Sequence, residues 1–527
     1  MRTSEQPRPA AESLFLSPRA GVVESDLVVK MGYRQQFARI LTWAESFAMG
    51  YSFISIPTGI FTTFAFVLSH AGPRGIWTWP IAVLGQLLVT LVYGALVSKI
   101  PLAGYSYQWG SRLTNPAIGW WLGWLSFACL SILTVSVDYA LAQVGLIPLL
   151  HLDYTPGLAA AITAGVLLLQ ATLILLSTRV TMSVNNWAVV VELIGIAILV
   201  IMALVAGWIA HIGSWSNLTS TGVVPAAGWY RWMGPFMLAT LLGGYTIVGF
   251  EVSSNLAEEH QAPRHDIPRA MFGAVAVSGG LGMLLLIALT KSIVDIGAIT
   301  DEASPATAVF NVFIPGGAVL ILGWMVLSIF ACGMIIMTCN SRLIWAMSRD
   351  RRFPLHRLWE RTPRVAGGPL ATVLAGVVSA TILGLLWYNT DALFTLFTTG
   401  TLLPAGLYAA TTLLYVFERR FLRLDPGPFH LGRWEVPVVL GALAWLAYEL
   451  VILLGPAEFR PAQQYAVGAV VLGLVVFVLM WLLEPGAMRR RLPLPPGADE
   501  ESPVVRRRQR RFQEAAPEGD AGAVVDN

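Results

Sequence analysis

Long apolar runs alternate with short polar connectors along most of the chain. A membrane span needs about 20 apolar residues. Twelve stretches meet that length, at roughly 45–70, 77–99, 118–147, 157–177, 185–210, 234–257, 271–292, 317–347, 370–388, 392–417, 435–455 and 463–484. The third and eighth are long enough to tilt or to run out into water. The pattern therefore predicts an all-α membrane protein with twelve transmembrane helices.

Two of these runs are interrupted, in matching places of the two halves. The first reads Ser52-Phe53-Ile54-Ser55-Ile56-Pro57-Thr58-Gly59-Ile60, and the sixth reads Gly243-Gly244-Tyr245-Thr246-Ile247-Val248-Gly249-Phe250-Glu251. Proline lacks an N–H and glycine lacks a side chain, so both open the helical ladder. In hydrocarbon, freed backbone groups are tolerated only where they are buried in protein or line a cavity. Paired interruptions at corresponding positions point to the substrate site of a transporter built from inverted repeats.

Composition agrees with the pattern. The 527 residues are 56% hydrophobic and 12% charged, with a mean hydropathy of +0.66; a soluble domain carries about 25% charge. Nineteen Trp and fourteen Tyr suit interfacial belts as well as packing. The three cysteines, Cys129, Cys332 and Cys339, stand in apolar runs, which argues against a disulfide framework. The seven histidines form no metal-ligand spacing and no Walker loop is present. No metal, cofactor or ATP-driven step is expected, and no enzyme activity: no nucleophile–base pair stands out.

Charge placement sets the expected orientation. With the N-terminus inside, thirty of the 34 Lys and Arg residues fall on the cytoplasmic side. Only Arg74, Arg231, Lys291 and Arg460 fall outside. Both termini are therefore expected in the cytoplasm. Residues 1–40 read as a polar tail, 41–485 as the membrane domain, and 486–527 as a disordered tail rich in Pro, Ala and charge. The first 40 residues lack a signal-peptide pattern. The Arg506–Arg511 cluster reads as topology control and solubility, or as an anionic-lipid contact.

Several stretches, in order, resemble one family. They are Met31-Gly32-Tyr33-Arg34-Gln35-Gln36-Phe37-Ala38-Arg39 before the first span, the first-span break itself, and Pro101-Leu102-Ala103-Gly104-Tyr105-Ser106-Tyr107-Gln108-Trp109 with Asn115-Pro116 and Gly119-Trp120. Gly249-Phe250-Glu251, Leu256-Ala257-Glu258-Glu259, and Ser341-Arg342-Leu343 with Ser348-Arg349-Asp350 and Phe353-Pro354 follow. Over about residues 31–484 the chain resembles the amino acid–polyamine–organocation permeases, most closely their amino acid/choline/GABA branch. The resemblance implies a five-plus-five inverted repeat, like that of the leucine transporter, with helices 1 and 6 discontinuous and two extra C-terminal helices. It implies secondary active transport of an amino acid or related small organic amine across the cytoplasmic membrane.

Candidate site residues follow from the breaks and the resemblance together. Exposed N–H groups at a half-helix N-terminus form an anion site, so a substrate carboxylate is expected at Thr58, Gly59 and Ile60. Carbonyls near Ser55 and Ile56 would face the amine. In the family the sixth-span stretch holds the amine and the aliphatic part, which implies Tyr245, Thr246, Ile247, Val248, Gly249 and Phe250. Phe250 reads as an aromatic lid, a cation–π face, or packing. Tyr139, mid-span 3, reads as pocket lining or packing.

Charged groups inside spans are costly and mark function by default, at about 2.5 kcal/mol or more at the centre. Glu251 is expected to neutralise a substrate ammonium or carry a proton, or else to cap the break. Glu192 stands where many sodium-independent relatives keep a lysine facing span 1. That departure puts the lysine mechanism in doubt, and a carboxylate there suits a proton or sodium. Asp138 carries the same cost argument without a family motif. Glu45 at the start of span 1 is given no transport role. Thr338 and Ser341 are candidates for a sodium-like site with span 1 carbonyls, against the alternative that their hydroxyls bond their own helix. Thr398, Thr399 and Thr401 are outer-gate candidates. Glu258, Glu259, Arg264 and Arg269 read as an inner gate with the Arg-rich loop after span 8, or as surface charge.

The expected function is a symporter driven by protons, with sodium as the alternative ion. The expected partners are the substrate, the coupling ion and the bilayer, with no nucleic acid, in a monomer or dimer. Rivals are an exchanger, a polyamine or choline carrier, a channel, and a nutrient sensor that binds without flux.

Overall fold

The computed structural model describes residues 27–300, 302, 304–313, 318–360, 370–385, 392–424 and 427–493. The expectations for 1–26, 494–527 and the Arg506–Arg511 cluster lie outside them. The described chain is helical, and its single β-type contact is the isolated bridge between Leu41 and His260.

Ten helices are long and apolar enough to cross a membrane among the described residues. Two expected spans differ. The ninth is a shorter apolar helix, Ala371–Leu385. The sixth is not one helix but three short ones, for reasons given below.

The first span is α1 (Trp43–Ile54) and α2 (Ile56–Ala71), parted at Ser55. Thr42 starts α1 in a capping box with Glu45, which accounts for that carboxylate. Next come α3 (Trp79–Lys99), the short α4 (Tyr105–Leu113) and α5 (Pro116–Ala140). Asn115 caps α5 through the N–H of Ile118, and Pro116 occupies the first turn, where a missing N–H costs nothing. α5 runs on through a π-helical stretch, Leu141–Leu146. α6 (Pro156–Leu176) and α7 (Thr178–Ile201) meet at Ser177, whose side chain caps α7. This cap starts the fifth span earlier than its hydropathy suggests.

The sixth segment is α8 (Pro235–Ala239), α9 (Leu241–Thr246) and α10 (Val252–Asn255). The long helices that follow are α11 (Pro263–Lys291), α12 (Ala318–Arg349), α13 (Ala371–Leu385), α14 (Ala392–Leu424), α15 (Glu435–Leu454) and α16 (Arg460–Leu483).

The broken elements sit at the centre. α11 packs on α3 and α1; α12 and α14 pack on α5; α9 packs on α2 and α14. α15 leans on α3 and α14, whereas α16 touches α5 and α14 along one edge. Its most apolar window is only 11% buried inside the protein, so it offers its apolar surface outward. Residues 27–40 and 486–493, assigned by sequence to the tails, lie partly against the body: Val28, Met31, Met488 and Leu492 are buried. They cover the end of the molecule where most of the described arginines gather, called here the basic end.

Candidate functional site

The two breaks face each other in the buried centre. Ser55 takes a left-handed backbone, φ 37°, between α1 and α2. Its hydroxyl lies 2.6 Å from that of Thr58. Gly59 is fixed by close approach: a Cβ there would stand 2.0 Å from Thr246 Oγ1 on α9. Its own N–H donates to Ser55 O at 3.1 Å. Of the expected carboxylate donors, Gly59 is therefore already engaged by the chain itself. Ile56 and Ile60 are fully buried beside it.

On the other side α9 ends at Ile247, and the chain turns through Gly249 at φ 86°. This left-handed backbone favours glycine, and a Cβ would stand 1.9 Å from the Phe53 ring. Tyr408 of α14 ties the turn: its hydroxyl accepts from the Gly249 N–H at 2.9 Å and donates to Glu251 Oε2 at 2.7 Å. Glu251 is 6% exposed. Freed backbone is thus satisfied by an aromatic hydroxyl from a helix far along the chain.

Between the breaks lies a cavity of about 20 Å³, room for about one water. Phe53, Thr58, Gly59, Tyr245, Thr246 and Val248 come from the two broken spans, Leu133 and Val137 from α5, and Cys332 and Ile336 from α12. Tyr245 is held by Ser136, hydroxyl to hydroxyl at 3.0 Å. The Cys332 thiol donates to Phe53 O at 3.2 Å, in α1 just before the break. Of the expected residues, Thr58, Gly59, Tyr245, Thr246 and Val248 meet at this cavity. A larger groove of about 560 Å³ opens elsewhere, between Leu41 and Glu45 on one side and Arg179 and Trp187 on the other. None of the expected substrate-site residues lines it.

Other expected residues take different places. Tyr139 is buried, but its hydroxyl pairs with Tyr154 at 3.3 Å, away from the cavity. Phe250 packs edge-on against Tyr93, centroids 5.8 Å apart, and beside Tyr408. Glu192 is 1% exposed on α7. It faces Ser328, the Ile56 backbone and Tyr51, so it does look onto the span 1 break. Thr338 donates to Met334 O and Ser341 to Thr338 O, both at 2.8 Å. Thr398, Thr399 and Thr401 likewise donate to their own helix. Asp138 Oδ1 accepts from Gln170 at 2.8 Å.

The basic end is closed by buried charge. Arg349 grips Glu258 with two bonds of 2.8 and 2.9 Å, and Arg342 donates to Glu259 at 2.6 Å. Glu258 and Glu259 are 1% and 3% exposed, so they are not surface charge. Arg264 instead donates to Ser98 O, and Arg269 meets His265. Tyr33, just before α1, lays its ring 3.6 Å from the Arg349 guanidinium. Its hydroxyl and that of Tyr107 both donate to Asp350, at 2.8 and 2.6 Å. His260 accepts from the Ala262 N–H through Nδ1. Burial pushes its imidazole down to about 4.

Sequence reasoning missed Tyr408, Cys332, Leu133, Val137 and Ser136. An aromatic or aliphatic residue inside an apolar span carries no local mark of what it touches. Among the described residues no group of three His, Cys, Asp or Glu is placed to hold a metal.

Residues 41–478 match the family model described as amino acid permease. Among curated proteins the chain is similar to an amino-acid permease BAT1 homolog of Oryza sativa subsp. japonica, at 27% identity over 86% of this chain and 92% of that protein. It is similar to the GABA-specific permease of Saccharomyces cerevisiae, at 25% over 87% and 82%. It is also similar to a putative polyamine transporter of Candida albicans, at 23% over 88% of each.

Proposed function

We propose, for a chain that belongs to the amino acid permease family, that it carries an amino acid or related small organic amine across the cytoplasmic membrane by alternating access, driven by protons. The observation that carries this reading is the meeting of two broken spans around one buried cavity. Ten long helices, the shorter Ala371–Leu385 and the broken sixth segment are compatible with twelve spans, five-plus-five in an inverted repeat with two beyond it. The basic end would face the cytoplasm.

The substrate carboxylate would lie at the start of α2, where the helix dipole favours an anion. Glu192 faces that same helix start through Ile56. Two carboxylates cannot both be ionised there without a cation between them. Proton uptake at Glu192 would admit the substrate, and its release on the other side would expel it. Glu251, tied to Tyr408, would receive the amine or a second proton. The 20 Å³ cavity is too small for an amino acid, so loading requires spans 1 and 6 to part from α5 and α12. Thr338 and Ser341 retain oxygen lone pairs for sodium, the alternative ion. In this reading, alternating access rocks spans 1, 2, 6 and 7 against the rest.

Uptake into proteoliposomes of labelled amino acids, GABA, choline and putrescine, with and without a proton gradient, tests this. Saturable uptake driven by the gradient is expected for one class. Uptake only against preloaded substrate makes it an exchanger. No flux despite ligand-induced thermal stabilisation makes it a sensor and overturns the proposal. Transport of putrescine alone favours the polyamine reading.

A further inference from the structure

Glu449 lies on α15, which belongs to neither broken span. It is 4% exposed. Its Oε2 is buried without a hydrogen-bond partner. Its Oε1 presses on α9, 2.8 Å from where a Cβ of Gly244 would stand. The Thr401 methyl of α14 lies 3.5 Å from that same point. The Thr401 hydroxyl is turned away to Phe397 O.

Among the described residues no charged group acts on this carboxyl; burial alone does. The tyrosines on the packed elements are engaged elsewhere. Tyr245 of α9 is held by Ser136. Tyr408 of α14 is held by Gly249 and Glu251. Tyr448, next to Glu449, meets Thr240 at 3.1 Å. Tyr93 of α3 faces Trp109 and Phe250. Lys99 stands at the opposite end of α3, and Glu435 at the opposite end of α15.

An isolated carboxylate out of water is far too costly to persist, and it takes a cation or a proton instead. Among the described residues there is no cation to take. Pressed on the carboxyl is α9, the half-helix that must move for the cavity to open.

We propose that Glu449 is a proton-binding site that couples the packing of α9 to the medium on the side away from the basic end. With α9 seated, Gly244 seals the carboxyl and Glu449 holds one proton. When α9 tilts away, water reaches the carboxyl and the proton exchanges with that medium. No bond other than the O–H is made or broken. A side chain at Gly244 would displace the carboxyl. This step rests on the transport reading above, and it is separate from any proton carried by Glu192 or Glu251.

The test uses the full chain in proteoliposomes. Infrared difference spectra of wild type against Glu449→Gln should show a protonated carboxyl C=O band at neutral pH that the variant lacks. Initial uptake against external pH should have a limb of about tenfold per pH unit for one proton. In Glu449→Gln that limb should flatten to within about twofold, with the internal pH dependence retained. Gly244→Ala keeps the carboxyl but displaces it, and should shift the band rather than remove it. No band difference between wild type and Glu449→Gln means an ionised Glu449 and overturns the proposal. A lost band with an unchanged external pH profile overturns it too. Absence of flux in the wild type would instead sink the transport reading, while the infrared result still decides whether Glu449 holds a proton.

Discussion

Around Ser55 and Gly249 the chain is held by shape, whereas at the basic end it is held by charge. At the centre, Thr246 fills the notch over Gly59, and Phe53 fills the notch over Gly249. Several hydroxyls there bond back to their own helix, among them Thr62 to Thr58 O and Thr63 to Gly59 O. Hydrogen bonds from Tyr408, Ser136 and Cys332 join the broken spans to their neighbours there, and each costs less to break than a buried ion pair. At the basic end, arginines and glutamates meet directly, inside the protein and out of water. Breaking such a pair leaves an unpaired buried charge. One region is therefore graded in its response to displacement, and the other is close to all-or-none.

Substitutions can break this contrast. The largest effect is expected at Gly59. Gly59→Leu must push α9 away, and it should abolish uptake while the protein still reaches the membrane; normal uptake in proteoliposomes would refute the close-approach argument. Gly59→Ala should be milder, with overpacking of about 1–3 kcal/mol. Adding Thr246→Ala to it should recover part of the loss. Next is Arg342→Ala, which strands the Glu259 carboxylate at a cost of about 3–5 kcal/mol. Thermal denaturation in detergent measures it, and the exchange Arg342→Glu with Glu259→Arg should recover more than half. No recovery would mean that the pair acts by packing rather than charge.

Tyr408→Phe removes the acceptor of the Gly249 N–H and the donor to Glu251. Leaving a buried donor unpaired costs about 1–3 kcal/mol. Transport should fall with that loss, and its pH dependence should move, because Glu251 loses the Tyr408 hydroxyl as a donor. An unmoved pH profile would discard the proton role of Glu251. Glu251→Gln checks the same point directly.

The smallest effect concerns His260. Its folded-state value lies below that of a free imidazole, so the unfolded chain binds the extra proton first. That contribution is complete above about pH 6.5 and is lost as pH falls towards 4. Melting temperature should drop across that window, and less so in His260→Gln. An equal drop in both would place the acid sensitivity elsewhere.

The breaks were legible because Gly, Pro and Ser stand where an unbroken span needs ordinary helix formers. Glu192 was legible as a group facing span 1 only through the resemblance, since nothing in its own apolar surroundings states a direction. Tyr139 shows the limit. It stands three residues from Ser136, yet the helix aims it at Tyr154 while Ser136 meets Tyr245. Glu258 and Glu259 read as an inner gate or as surface charge because they occupy a connector; Arg349 and Arg342 of α12 pair with them, and residues 35–41 lie over their backbone. Tyr408 and Glu449 owe their roles to contacts with residues some 150 to 200 positions earlier, which periodicity does not encode.

Those long reaches bear on how the chain is made. α8, α9 and α10 have five, six and four residues, too few to insert into lipid as independent helices. Their seal comes from α14 and α15, which leave the ribosome long afterwards. Until then the segment depends on provisional shelter, from earlier helices or from the insertion machinery. Its final hydrogen bonds must close late in biogenesis, and a truncation before residue 408 should leave a nascent product marked for degradation rather than a smaller, working permease.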